Sequence, residues 1–430
     1  MQHEIKVHSL AGRAKLLVIN MPNAATFYFG SYIRNGYRFC DPQIYDTPHL
    51  LEHLSFEGNK KYPNSIDFKS TIETLGSRYN AMTSPHMVKY FFNAGKEHVI
   101  PIINIALDQI FEPLIESSRV EQQKKVIAEE LTRSLDNDRR NRAYRTRHAV
   151  FPAINPDFAE RIKMVGSITA DDVRSYFSKT HVVANTRFVL AGDFTANELG
   201  KIIESLNRRL SGYESGKELK YTPLKPGKYQ GLIQAFPSSI SSQHHFHLGF
   251  ILPGYDPIAL PPLKLLNTML GLGMGSRVMV KAREKGLTYS LQAGLLIEFD
   301  CSDFWIADQT SPDKLEPLIN LLSEELYDIA QGNYSQNELN RALGVVKGGL
   351  ERRQQTPTDL ADWYSSAFMF ELGLDSPADR IKQLESVTKD DIQKAAAKYI
   401  TSGSWTMTLI GAGLEKKAGH YQTLLKRYFS

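Results

Sequence analysis

Polar and apolar residues alternate along the N-terminal stretch MQHEIKVHSLAGRAKLLVIN, which is the two-residue period of a strand. Short apolar runs predict strands at 15–20, 26–34, 87–94, 187–192, 245–252, 289–297 and 405–411. Between them the period lengthens to that of helices, predicted at 48–57, 65–75, 99–111, 119–147, 170–178, 196–208, 259–271, 275–284, 313–331, 335–352, 357–371 and 389–399. Strands and helices are interleaved without the regular alternation of a doubly wound parallel sheet, so the pattern predicts an α+β fold.

The pattern also repeats. SITADDVRSYF at 167–177 and SVTKDDIQKAA at 386–396 stand 219 residues apart, and at the same offset FVLAGDF at 188–194 meets MTLIGAG at 407–413. Each copy reads as a helix opened by a Ser or Thr three residues before an Asp, followed by an apolar strand ending in Gly. An offset of half the chain predicts two homologous halves, residues 1–210 and 231–430. The stretch between them, SGYESGKELKYTPLKPGKYQ at 211–230, has turn-forming residues and no helical period, and reads as a linker.

A chain of 430 residues exceeds a single core of ordinary size, in agreement with two halves. No apolar run approaches the roughly 18–20 residues that span a bilayer. The N-terminus lacks the basic-then-apolar plan of a signal peptide, which makes the cytoplasm the simplest address. Cys40 and Cys301 lack the close spacing of a zinc ribbon or a disulfide framework. The net charge of +4 is too small to argue for nucleic acid. Charge is concentrated in RRNRAYRTRH at 139–148, which reads as a solvated helix face or a wall attracting acidic ligands, with a phosphate-binding patch as the alternative.

The candidate chemistry begins with TPHLLEHLSFEGNKKYP at 47–63. Thr47 as cap and Pro48 in the first turn open a helix, and Gly58 can close it. At about 100° per residue, His49, Glu52 and His53 fall on one face and Leu50, Leu51 and Leu54 on the other. Histidines at i and i+4 can share one metal ion, and the intervening glutamate stands beside the pair, where it can accept a proton without being a ligand.

Two imidazoles make a weak hydrolytic site, which needs a third protein ligand and an open position. The helix predicted at 119–147 offers Glu130. Its apolar stripe runs through Val120, Ile127, Leu131 and Leu135, which turns Glu130 inward and Glu129 outward. Taken alone, the His–Glu–His cluster is equally that of an ordinary amphipathic helix with polar surface histidines. HHFH at 244–247 is a rival metal site, with His245 and His247 on one strand face, although no partner carboxylate is evident in the sequence.

HLLEHLSFEGNKKYP resembles the inverted zinc motif of the pitrilysin/insulinase family, the inverzincins, which include the mitochondrial processing peptidases. VIAEELT at 126–132 is similar to that family's ligand helix, LGSRYNAMTS at 75–84 to its substrate-binding strand, and GMGSRVMVKAREKGLTYSL at 273–291 to the segment bringing an Arg and a Tyr to the site. The four motifs keep the family's order and span both halves. This chain departs from the family at three points. Gln123 stands where a second glutamate is common, Arg283 and Tyr289 are six residues apart instead of seven, and the second half lacks the metal motif.

The resemblance implies a zinc-dependent endopeptidase with one Zn²⁺ per chain, held by His49, His53 and Glu130. It implies Glu52 as the general base, Tyr289 at the developing oxyanion and Arg283 on a substrate carbonyl. An unstructured peptide would add as a strand along SRYNAMTS, meeting Asn80 and the carbonyl of Ala81. Each half would be a mainly antiparallel sheet packed with helices, the two forming one half of a clamshell that encloses a chamber. Its partner would be a second copy or a metal-less homologous chain. The alternative within the same family is a non-catalytic subunit of a heteromeric complex.

Overall fold

Runs that alternate or stay apolar over five to ten residues become the strands of two mixed sheets in the computed structural model, which describes residues 3–152, 155–222, 230–238, 241–297 and 301–429. The strands are β1 (Glu4–Ser9), β2 (Lys15–Asn20), β3 (Thr26–Ile33), β4 (Arg78–Thr83), β5 (Val88–Gly95), β6 (Thr186–Gly192), β7 (Leu232–Phe236), β8 (His244–Pro253), β9 (Gln292–Leu296), β10 (Cys301–Thr310) and β11 (Trp405–Ile410). The helices are α1 (Thr47–Leu54), α2 (Ser65–Thr74), α3 (Val99–Phe111), α4 (Ser117–Leu135), α5 (Asp138–Val150), α6 (Phe158–Ser167), α7 (Ala170–Thr180), α8 (Ala196–Leu210), α9 (Leu260–Gly271), α10 (Arg277–Glu284), α11 (Leu315–Ala330), α12 (Gln336–Arg352), α13 (Pro357–Met369), α14 (Pro377–Glu385), α15 (Lys389–Tyr399) and α16 (Ala418–Lys426). No described helix is long and apolar enough to cross a membrane.

The chain divides into two units, one of residues 1–132, 158–221 and 352–374, the other of residues 133–157, 222–351 and 375–430. The first holds a sheet in the order β1-β2-β6-β3-β5-β4. β2 and β6 are parallel and the other neighbours antiparallel. Its central strands read as unbroken apolar runs because both faces are covered. Leu16, Val18, Phe29, Phe92, Phe188 and Leu190 pack under α2, α3 and α8. The alternate residues Leu17, Ile19, Tyr28, Tyr32 and Val189 meet Leu360, Ala361, Tyr364 and Phe368 of α13. β4 lies at the edge, paired only with β5.

The second unit has the order β7-β11-β8-β10-β9, again with one parallel pair, β7 and β11. Phe246, Leu248, Phe250, Phe304 and Ile306 alternate onto one buried face. The other face carries α5. That helix is tied to the sheet by Thr146, whose hydroxyl makes a 2.8 Å hydrogen bond to Thr408 Oγ1.

The repeat is present in three dimensions. α7 and α15 both open with capping boxes, Thr169 with Asp172 and Thr388 with Asp391. Each leads to a strand, β6 or β11, that runs parallel to one neighbour and antiparallel to the other.

Several local expectations are corrected. The helix predicted over 119–147 is two helices, because Asn137 caps α5 by accepting the Arg140 N–H at 2.9 Å. β7, β10, α6, α14 and α16 were not predicted, and the strand expected from residue 289 begins at Gln292. Residues 211–221 hold to the first unit: Val183 and Ala184 donate to the Glu214 and Ser215 carbonyls, and Glu218 pairs with Arg187. Residues 223–229 of the stretch read as a linker lie outside the described residues.

Candidate metal centre

α1 is anchored by its apolar face. Leu50, Leu51 and Leu54 are wholly buried, which turns His49, Glu52 and His53 to the partly open side. The helix starts one residue earlier than a Thr47 cap would require. Asp46 occupies the cap position without capping, Pro48 lies in the first turn, and the Thr47 hydroxyl donates to the Ile44 carbonyl at 2.7 Å. It ends at Leu54, before the expected residue 57, and Ser55 Oγ donates to the Glu52 carbonyl at 2.6 Å. Gly58 turns the chain beyond it at φ 130°, where a Cβ would lie 2.7 Å from the Tyr62 carbonyl oxygen.

Three side chains meet at this face. His49 Nε2 and His53 Nε2 are 3.2 Å apart. Glu130 Oε2, from α4, lies 3.7 Å from the first and 3.8 Å from the second. Among the described residues this is the one group of three whose ligand atoms converge closely enough to hold a metal ion. At this distance the two imidazole nitrogens can share a proton in an N–H···N hydrogen bond or bind one cation between them. Tetrahedral zinc, with Zn–N near 2.0–2.1 Å, holds two nitrogens about 3.3 Å apart. The donor set therefore fits zinc: two imidazoles and one carboxylate, which leave one position of a tetrahedral set for a fourth ligand.

The surrounding groups orient these donors. His53 Nδ1–H donates to Gln123 Oε1 at 3.1 Å, which leaves the Nε2 lone pair for a metal. Gln123, the departure from the family pattern, is buried, and its amide oxygen is the acceptor that sets the His53 ring. On the other imidazole, His49 Nδ1 lies 3.7 Å from Asp46 Oδ1. Asp46 is held in turn by Arg161, which donates Nε–H to it at 2.9 Å and a second bond from Nη2. The Arg161 guanidinium lies over the stacked rings of Tyr37 and Tyr45. Burial pushes the Asp46 carboxyl upward, but the guanidinium prevails and holds it below the usual carboxylate range. Burial, and then the neighbouring His49, push His53 downward and favour the neutral imidazole a metal needs.

Glu52 stands beside the candidate ligands without joining them. Burial raises its pKa and the Glu130 charge works the same way, while His49 and the Thr83 hydroxyl oppose. Thr83 Oγ, at the end of β4, donates to Glu52 Oε2. A carboxylate pushed upward and pinned by one oxygen is suited to proton transfer.

The other expected residues are placed as follows. Asn80 and Ala81 lie on the edge strand β4, where Asn80 Oδ1 accepts the Ala81 N–H at 2.9 Å. Arg283, on α10, and Tyr289, just before β9, belong to the second unit. The Arg283 guanidinium lies 5.6 Å from the centre of the Tyr289 ring, and Tyr289 is 73% exposed. The histidines at 244–247 are buried, not on a strand surface. His245 faces Asp138 at 3.8 Å and His247 faces Asp303 at 3.9 Å, so each has a carboxylate, but no third ligand joins either pair among the described residues. Sequence reasoning missed Asp46, Arg161 and Thr83. Asp46 stands one helical turn before His49 and was open to the same face argument, whereas Arg161 and Thr83 reach the site only through folding.

Comparison with known proteins agrees with this description. The model of Insulinase (Peptidase family M16) matches residues 15–159, and that of the Peptidase M16 inactive domain matches residues 167–345. An uncharacterized zinc protease of Streptomyces coelicolor is 24% identical, over 95% of this chain and 90% of its own. A protease from Helicobacter pylori superposes with a TM-score of 0.86 at 17% identity, covering 95% of this chain and 100% of the other. A chain of complex III2 from Candida albicans does so at 0.81 and 12% identity, covering 98% and 100%.

Proposed function

The chain belongs to the insulinase (M16) peptidase family in its two-domain form, and from that premise we propose that it is a zinc-dependent endopeptidase of unstructured peptides. The observation that carries the reading is the convergence of His49 Nε2, His53 Nε2 and Glu130 Oε2, with ligand atoms within 4.8 Å of one another. Zinc, when bound there, would polarise the attacking water and the scissile carbonyl.

The chain's own residues do the rest. Gln123 fixes the His53 tautomer, and Asp46 braces His49 from behind. Glu52 takes the proton of the attacking water and delivers it to the leaving amine, so it must change protonation state within one turnover. The burial that raises its pKa brings the two states closer in free energy. β4 offers an extended peptide a free edge, with Asn80 and the Ala81 carbonyl as contacts. Backbone pairing of this kind discriminates weakly among side chains and disfavours folded proteins, which offer no free strand. Tyr289 and Arg283 are assigned to substrate, the phenol to the oxyanion and the guanidinium to a carbonyl, as the resemblance implies. A second copy or a homologous chain is the proposed partner, a reading supported by the likeness to a chain of a multi-subunit complex.

The test is cleavage of an unstructured peptide, read by mass spectrometry, with the zinc-loaded parent and with Glu52→Gln. The parent cuts. The variant binds zinc as the parent does and loses at least about 100-fold in rate, the lower range for a general base. A parent that binds zinc but cuts nothing would mean that the site is incomplete in this chain alone, and the search for activity would turn to a partner chain.

A further inference from the structure

The basic stretch at 139–148 is not used by the metal centre. It forms α5, and its arginines have different fates. Arg140 donates to Ser134 Oγ at 3.1 Å, and Arg145 pairs with Asp157 at 3.0 Å while lying over the Phe236 ring. Arg139 and Arg142 instead line a cavity of about 240 Å³ in the second unit, between α5 and the strands β8, β9 and β10. The Arg139 side chain is exposed and has no ion pair or hydrogen bond among the described residues. Arg142 is 3% exposed, gives one N–H to the Asp308 carbonyl, and leaves Nε without a partner. Burial, with Arg139 adding to it against the pull of Asp308, brings the Arg142 guanidinium down to about 10.

The opposite wall holds Asp303 and His247, which are 2% and 4% exposed. Asp303 Oδ1 and His247 Nε2 also lack hydrogen-bond partners. Trp305 lies stacked on His247 at 5.4 Å and supplies an aromatic surface. The cavity thus presents two kinds of unmet demand. Guanidinium N–H groups require an anionic acceptor, and a buried carboxylate oxygen requires a donor. Leaving such groups unmet is unfavourable, and more so when they are charged.

One simple chemical group answers both. A protonated phosphate accepts from guanidinium through its anionic oxygens and donates its O–H to a carboxylate. Sulfate carries no proton at neutral pH and would be repelled by Asp303, and a carboxylate ligand has the same defect. We propose that this cavity is a phosphate-binding site, in which Arg139 and Arg142 hold the anion and Asp303 accepts a hydrogen bond from the phosphate O–H.

The test is calorimetric titration of the zinc-loaded full chain with inorganic phosphate, and with sulfate at matched ionic strength, with Trp305 fluorescence as a second readout. Saturable phosphate binding, at least about tenfold tighter than sulfate, is expected from a charge-assisted hydrogen bond that only one of them makes. Arg139→Gln, an exposed change that leaves the fold intact, weakens phosphate about tenfold. Asp303→Asn reduces the preference over sulfate. Glu130→Gln leaves phosphate binding unchanged, which separates this cavity from the metal centre. Phenyl phosphate distinguishes the source: tighter binding than inorganic phosphate marks a phosphoester whose body lies on Trp305, and weaker binding marks the free ion. Sulfate binding as tightly as phosphate, no saturable binding, or indifference to Arg139→Gln overturns the proposal.

Discussion

Helices α4 and α12 stand at the same place in the repeat, and their sequences differ where chemistry would be. VIAEELT at 126–132 meets VVKGGLE at 345–351 at the 219-residue offset. The packing positions are kept: Ile127 and Leu131 are matched by Val346 and Leu350, all buried. Glu130 is matched by Gly349 and the buried Gln123 by the buried Ala342. α9 follows β8 as α1 follows β3, but it carries neither His nor Glu, and every residue except Lys264 is buried. The second unit has kept the scaffold and filled or emptied the site.

The helices α5 and α13 show the reverse case. Both lie against a sheet, and their residue ranges are 219 apart. α13 seals its sheet with Leu360, Ala361, Tyr364 and Phe368. α5 sets Arg139 and Arg142 over its own sheet and leaves a cavity. One helix position thus serves as apolar core in one unit and as a charged wall in the other. Covering the sheet is required of this helix, but the chemistry of the cover is not.

The comparison can be tested by giving first-unit positions their second-unit residues. The largest effect is expected for Glu130→Gly, which makes α4 read as α12. Zinc content measured by elemental analysis falls from one per chain toward none and cleavage is lost with it. The affinity loss exceeds the roughly 10–100-fold typical of outer-shell partners. Full zinc retention would show that Glu130 is not a ligand.

His181 is next. It ends α7, is buried, and matches the buried Ile400 at the end of α15. Burial lowers its pKa from 6.5 to about 3. In this range the unfolded chain binds the proton and the folded chain does not, so stability falls as pH drops below about 6.5 and levels off near 3. The slope is about 1.4 kcal/mol per pH unit. His181→Ile removes this contribution, so its urea stability relative to the parent rises by about 3 kcal/mol between pH 7 and pH 4. An unchanged slope would mean His181 is protonated in the folded state.

Gln123→Ala reproduces Ala342 and removes the acceptor for His53 Nδ1–H. Zinc affinity, measured by competition with a chelator, drops about 10–100-fold, and Gln123→Glu restores it. The smallest effects concern what both units share. Thr169→Ala and Thr388→Ala each remove a capping box and cost about 1 kcal/mol by chemical denaturation. A large inequality between them would show that the two caps are not equivalent parts of the repeat.

What was legible in the sequence was what depends on neighbours along the chain. The helical pitch alone gathers His49, Glu52 and His53 on one face, and the same arithmetic turns Glu130 inward. The capping boxes are complete within four residues, so both copies could be read directly. The break at Asn137 was hidden because the helical pattern runs through it, and only the side-chain cap interrupts the backbone ladder. β10 was obscured by Asp303 and Asp308, whose charges suggest exposure although the fold buries both.

The sequence by itself determined the candidate ligands' types, their faces, the two-fold repeat and the family likeness, because each rests on short-range periodicity or on motif order. Only the tertiary structure decided that Glu130 Oε2 comes within 4 Å of both imidazoles, that Thr83 pins Glu52, and that Arg161 holds Asp46 behind His49. It also decided that α5 covers the sheet of the second unit and α13 that of the first. These meetings join residues far apart in the chain. They are set by which buried faces fit together, and no local period encodes that choice.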